Sequence, residues 1–182
     1  MIIRGSSRPD ILREEVLADL FEATAARQPD HTALIFGDIR ISYGELDERA
    51  SLMAHHLIGR GVRPGHIVGL WLPRGIDLLV SQLAIAKTGA AWLPFDADTP
   101  VDRIAVCLED AQAIGIVSGH CLLAGLNDPG CPVWDQAGLL QATDAPLLRR
   151  QGATEFFPRQ KKLCETDIKP MECLEFIFTD PA

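Results

Sequence analysis

Three carboxylates, Asp96, Asp98 and Asp102, sit close together around Thr99-Pro100. Hard cations such as Mg²⁺ take oxygen ligands, so this grouping could hold one, usually together with substrate phosphates. A different use is expected. Thr99 as N-cap with Pro100 in the first helical position marks a helix start. Carboxylates there meet the helix dipole and its free N–H groups. Gly59-x-Gly61-x-x-x-Gly65 imitates a phosphate loop, but a phosphate loop needs strand, loop, helix in that order. Here the order reads helix, loop, strand, and helix-capping glycines are expected. Lys87-Thr88 lacks the G-x-x-x-x-G of a P-loop. His55 and His56 are neighbours on one helix and point about 100° apart, so they cannot chelate as an i, i+4 pair. His31, His66 and His120 have no ligand partners at metal spacing. No H-E-x-x-H, G-x-S-x-G or Cys–His signature occurs. From the residues alone, no catalytic and no metal-ligating residue is expected.

The elements that would position these residues alternate. Leu12, Val16, Leu17, Leu20, Phe21 and Thr24 fall at helical spacing and predict a helix from Ile11 to Arg27. His31–Phe36 and Ile39–Ile41 predict a hairpin around Gly37-Asp38. Ser42 and Glu45 form a capping box, and Leu46, Ala50, Met53 and Leu57 form the buried stripe of the helix it opens. Ile67–Leu72 is nearly all apolar and suits a strand covered on both faces. A helix follows with Ile76, Leu79, Val80, Leu83 and Ala84 inward, capped by Gly89. Then come a strand over 90–93, a helix with Val101, Ile104, Ala105 and Leu108 inward, and a strand over 113–118. A short helix near 121–126, a weak strand over 132–134 and a helix near 136–141 complete the series. Such alternation predicts an α/β fold with a largely parallel sheet flanked by helices. Residues 11–142 are taken as this α/β part, 143–173 as a polar linker or irregular tail, and 174–182 as a terminal strand fragment built on Leu174–Phe178.

The chain has 182 residues, 47% hydrophobic and 23% charged, with a formal net charge of −8. This composition belongs to a folded domain with a sizeable core. The acidic balance excludes nucleic acid or an anionic membrane as the main partner, and Arg159-Gln160-Lys161-Lys162 reads as a solvated surface turn. No apolar run approaches the ~18 residues of a membrane span, and residues 1–10 hold no signal peptide. The cysteines are Cys107, Cys121, Cys131, Cys164 and Cys173. An odd number without C-x-x-C argues against a disulfide framework or zinc site, and a cytoplasmic location is expected.

Five collinear stretches between Leu20 and Ser118 resemble the adenylation domains of nonribosomal peptide synthetases, within the acyl-adenylate-forming superfamily. Leu20–Asp30 resembles "LFExxAxxxPD". Ile41–Leu46 resembles "LTYxEL", and Asp47–Leu52 resembles the following "NxxAxxL". Gly61–Val68 resembles "GVxPGDxV". Lys87–Ile104 resembles "K-A-G-A-A-Y-L-P-[LI]-D-P-x-x-P-x-x-R-[IL]", and Leu108–Ala111 resembles "LxDA". The resemblance implies the first subdomain of an acyl-adenylate-forming enzyme, truncated. The family's next landmark is a strand entering "Y-T-S-G-T-T-G-x-P-K-G", whose backbone N–H groups and hydroxyls hold the ATP phosphates. Phe176-Ile177-Phe178-Thr179 resembles that strand and its first Thr. Asp180-Pro181-Ala182 then replaces Ser-Gly-Thr, and a carboxylate there would repel phosphate. Thr179 is thus the one cofactor-binding position the resemblance offers. It implies ATP and Mg²⁺ for the intact family, with neither expected to bind this chain alone. It further implies a fragment of an amino-acid (or other carboxylic acid) adenylating ligase that is inactive alone. The expected partners are the remainder of an adenylation domain or a carrier-protein domain, with no nucleic acid and no membrane. A non-catalytic interaction partner or complementing half of a synthetase is the alternative.

Overall fold

Four short apolar segments build the centre of the molecule. The computed structural model describes residues 15–119, 122 and 129–141, all within one compact unit. Strands β3 (Ile67–Trp71), β4 (Ala91–Phe95), β5 (Gly115–Ser118) and β6 (Val133–Asp135) form a parallel sheet in the order β4-β3-β5-β6. The remaining elements are α1 (Leu17–Arg27), β1 (Thr32–Phe36), β2 (Ile39–Ser42), α2 (Tyr43–Gly59), α3 (Ile76–Lys87), α4 (Val101–Asp110) and α5 (Gln136–Gln141). The parallel sheet, flanked by helices, is the architecture the alternation predicts.

Side-chain alternation splits β3 between two cores. Val68, Leu70 and Leu72 pack with Val117 and Trp134 against Met53 and Leu57 of α2, Val80 and Ala84 of α3 and Leu139 of α5. Trp71 turns to the other face with Ile116, Ile104 and Leu108. Gly69 also belongs to that second face. A Cβ built there would stand 2.6 Å from Leu108 Cδ2, so only hydrogen fits under α4. The near-continuous apolar run of β3 is therefore explained by helices on both faces.

The hairpin β1–β2 is a separate antiparallel sheet. Its end is the start of α2, where Ser42 Oγ accepts from Glu45 N at 3.2 Å and Glu45 Oε2 accepts from Ser42 N at 2.9 Å. That is the capping box read from sequence. The stripe Leu46, Ala50, Met53 and Leu57 is buried as expected.

Several expectations need correction. The helix α1 begins at Leu17, after an extended Val16, and residues 11–14 lie outside the described part. Its fully buried residues are Ala18 and Ala25, Phe21 packs partly buried on the main core, and Val16, Leu17 and Leu20 are exposed. Leu79 is likewise exposed, and Ser81 and Ile85 take the inward places of α3. Strand β4 runs over 91–95 rather than 90–93 because its ladder with β3 continues to Trp71↔Phe95. Strand β5 starts at Gly115, two residues later than expected. Thr99 is not the cap of α4: Pro100 holds the N-cap place and no side chain caps the helix. The expected helix near 121–126, the linker 143–173 and the strand fragment 174–182 fall almost wholly outside the described residues.

Candidate functional site

In open parallel sheets, ligands bind beyond the carboxyl ends of the strands, where successive connections leave to opposite faces. That switch lies between β3 and β5. Helix α3 leaves β3 toward the face of α2, whereas Leu122, after β5, packs on the face of α4. The carboxyl edge there is a row in register: Phe95, Trp71, Ser118 and Asp135. Trp71 Nε1 donates to the Asp96 carbonyl at 2.9 Å and pins the loop after β4. Ser118 is fully buried, and its Oγ has no hydrogen-bond partner. Asp135 Oδ1 and Gln136 Nε2, one strand over, also lack one. Among the described residues this row offers hydroxyl, amide and carboxylate groups, and Arg74 stands in the loop just beyond Trp71.

The opposite end of the sheet holds a buried charge. Lys87, the last residue of α3, has a side chain only 2% exposed. Its Nζ lies 2.5 Å from Glu22 Oε1 of α1 and 2.7 Å from Asp47 Oδ1 of α2. The Glu22 contact is a directed hydrogen bond. The Asp47 contact lacks hydrogen-bond geometry and is Coulombic. The Phe21 ring centroid is 6.0 Å from the same Nζ, and Phe21 packs on Tyr43 at 5.8 Å. One ammonium thus joins three helices. Sequence inspection missed this cluster, although each member stands in a separate family-like stretch: Glu22 in "LFExxA", Asp47 in "NxxAxxL" and Lys87 in "K-A-G-A-A-Y". No local pattern announces a meeting across 65 residues.

The candidate ligands named from sequence stay apart. Asp96, Asp98 and Asp102 are exposed, and among the described residues no group of three or more His, Cys, Asp or Glu could hold a metal ion. Gly61 and Gly65 take left-handed φ values of +93° and +84° in a helix-to-strand loop, as their inverted order implies. Arg63 braces that loop through the carbonyls of Ile58 and Val62, both at 2.8 Å. An open groove of about 440 Å³ beside α4 is lined by Val106, Glu109, Gln112 and Cys131. Burial pushes the Cys131 thiol up from its ordinary value, so it holds less thiolate and makes a poor nucleophile. Thr179 lies outside the described residues. Among those residues, no helix is long and apolar enough to cross a membrane.

Comparison with known proteins agrees with this architecture. The family profile "AMP-binding enzyme" matches residues 21–175. The Delta-poly-L-ornithine synthetase of Acinetobacter baumannii is 63% identical over 117 residues, covering 64% of this chain and 9% of that protein. A dimodular nonribosomal peptide synthase of Bacillus subtilis is 45% identical over 118 residues, covering 65% of this chain and 5% of the relative. This chain therefore spans less than a tenth of the length of these relatives. Among solved structures, the Klebsiella oxytoca NpsA N-terminal subdomain in complex with 3-hydroxyanthranilyl-AMSN superposes with a TM-score of 0.64 at 29% identity, over 69% of this chain and 32% of that one. NpsA-ThdA, an artificially fused adenylation–PCP di-domain from the same organism, gives 0.68 at 28% identity, over 74% and 25%. The parallel α/β unit, its ordered motifs and these matches have one meaning: the chain belongs to the AMP-binding enzyme family, with relatives among nonribosomal peptide synthetase adenylation domains.

Proposed function

We propose that this chain is the N-terminal framework of an adenylating ligase of nonribosomal peptide synthesis, acting on an amino acid. In the complete enzyme a carboxylate oxygen attacks the α-phosphorus of ATP. The bond to the β-phosphate bridge breaks, and acyl-adenylate and pyrophosphate result. A phosphopantetheine thiol of a carrier domain then takes the acyl group and releases AMP. An enzyme contributes mainly positioning and charge stabilisation to such steps. The observation that carries this reading is the collinear run of five family stretches, in a chain 63% identical over 117 residues to a Delta-poly-L-ornithine synthetase.

In this reading the described residues do not hold ATP and Mg²⁺ by themselves. The described residues form no group of three or more His, Cys, Asp or Glu that could hold a metal ion, and the stretch resembling the phosphate loop lies outside them. No reaction step is therefore assigned to them. Residues 1–182 contain no complete T-S-G-x-x-G-x-P-K loop, and Thr179 is the sole proposed phosphate contact. Residues 1–182 alone are inactive in this reading. They become one half of an active site when the rest of an adenylation domain is supplied.

ATP–pyrophosphate exchange tests both parts. Purified residues 1–182 with ATP, Mg²⁺ and L-ornithine or mixed amino acids are expected to give background exchange. The same residues fused to the downstream adenylation segment of the Acinetobacter synthetase are expected to give exchange. Activity of residues 1–182 alone overturns the framework role. A folded fusion that is silent with every amino acid overturns the ligase assignment.

A further inference from the structure

Helix α1 is attached to the body in an unusual way. Its larger aliphatic side chains point outward: Leu17 is 59% exposed and Leu20 is 40% exposed. The residues it buries fully are alanines, Ala18 and Ala25, which remove little apolar surface from water. Phe21 is partly buried, packed on the main apolar core with its ring 5.8 Å from that of Tyr43. Beside it Glu22 crosses from α1 into the interior, hydrogen-bonded to the buried ammonium of Lys87. Helices α2 and α3 supply many fully buried side chains to that core, whereas among the described residues α1 supplies only the partly buried Phe21.

We propose that the Glu22–Lys87 pair is a clasp, and that α1 is a separately opening element which it holds against α2 and α3. The physics of the pair makes the attachment close to all-or-none. A buried ammonium with both partners in place is tolerated, and losing Glu22 leaves its charge only partly compensated, by Asp47. An apolar helix face weakens gradually as contacts are trimmed, whereas a clasp yields at one residue. Asp47 keeps Lys87 partnered when α1 lifts, because its Oδ1 lies 2.7 Å from Nζ and sits on α2 rather than α1. The open state is thereby stabilised relative to one with a bare cation. Opening lifts Phe21 off the core, uncovers Tyr43 and Lys87, and leaves the parallel sheet intact. This inference rests on the packing of α1 and is independent of the ligase assignment.

Native-state hydrogen exchange on the full 182-residue chain tests it. Local opening of one element shows as amides exchanging with a smaller denaturant dependence than the core. In the unaltered chain, amides of 17–27 are expected to exchange through such a partial opening, with those of β3 and β5 exchanging only on global unfolding. Glu22→Gln is expected to speed exchange in 17–27 by about tenfold or more while β3 and β5 change by less than about twofold. Asp47→Asn, which spares the clasp, is expected to leave 17–27 within about threefold of the unaltered chain. Exchange of α1 with the same denaturant dependence as β3 in the unaltered chain overturns the proposal. So does a folded Glu22→Gln chain whose α1 exchanges at the original rate. Should Glu22→Gln fail to fold, the unaltered chain and Asp47→Asn decide.

Discussion

The two ends of the parallel sheet differ in how their buried polar groups are partnered, although Asp47 Oδ1 at the amino end makes no hydrogen bond and meets Lys87 only as an ion pair. At the amino end, Lys87 meets two carboxylates, and Thr88, fully buried, is satisfied twice. Thr88 Oγ1 donates to the Ile85 carbonyl at 2.7 Å and accepts from Ala90 N at 3.3 Å. At the carboxyl end, Ser118 Oγ, Asp135 Oδ1 and Gln136 Nε2 are buried and unpartnered. Leaving a buried polar group unpaired costs about 1–3 kcal/mol, so such groups are rare where nothing but stability is at stake. The amino end therefore serves to hold the fold. The carboxyl end carries a stability cost, and it is the end where open α/β sheets meet ligands.

The largest effect separating the two ends is expected from Lys87→Met. The change keeps the length of the side chain and removes the ammonium. Glu22 and Asp47 then lose the ammonium they share, and Glu22 is largely buried. Breaking a buried pair costs about 3–5 kcal/mol when both partners are deep. Asp47 is 36% exposed, which places the expectation near the lower end, about 3 kcal/mol. Urea unfolding monitored by tryptophan fluorescence measures it. A loss below about 1 kcal/mol would remove the amino end from its role as the fold's anchor.

Much of this framework was legible from local pattern. The Ser42–Glu45 capping box, the stripe of α2 and the double-sided burial of β3 follow from spacing and side-chain type, because each is decided within one element. Helical spacing located α1, but spacing marks a face without saying which face finds a partner. Alanines at 18 and 25 allow close approach, and the leucines were left outside. The Lys87 cluster was illegible because its members come from three helices, and an ion pair leaves no periodic trace. The candidate site at the carboxyl edge was illegible for a related reason. Ser118 and Asp135 are ordinary strand-end residues until the order β4-β3-β5-β6 makes them neighbours. Thr179, offered by resemblance, lies beyond the described residues.

A sharper version of the comparison uses one hydroxyl at each end. Thr88→Val preserves shape but removes the acceptor for Ala90 N–H and the donor to the Ile85 carbonyl. That carbonyl keeps its bond from Thr88 N at 3.0 Å. The buried Ala90 N–H is left alone, so a loss of about 1–2 kcal/mol is expected. Chemical denaturation with a matched Thr88→Ser chain checks the assignment, since Ser keeps both bonds and loses only a methyl group. Equal losses in the Val and Ser chains would show that packing, not hydrogen bonding, holds this turn.

Ser118→Ala completes the pair and carries the smallest expected effect. The hydroxyl is fully buried and makes no hydrogen bond. Replacing it removes an unpaid desolvation penalty and opens only a small void. The two terms nearly cancel, and a change between about 0 and 1 kcal/mol in favour of the alanine chain is expected. The sign matters more than the size. If Ser118→Ala destabilises the chain as much as Thr88→Val does, the serine has a partner in solution and the two ends are alike. If the alanine chain is as stable or more so, the serine is kept at some expense to the fold. Its place in the row Trp71–Ser118–Asp135 then makes the switch point the part of this framework built for something other than stability.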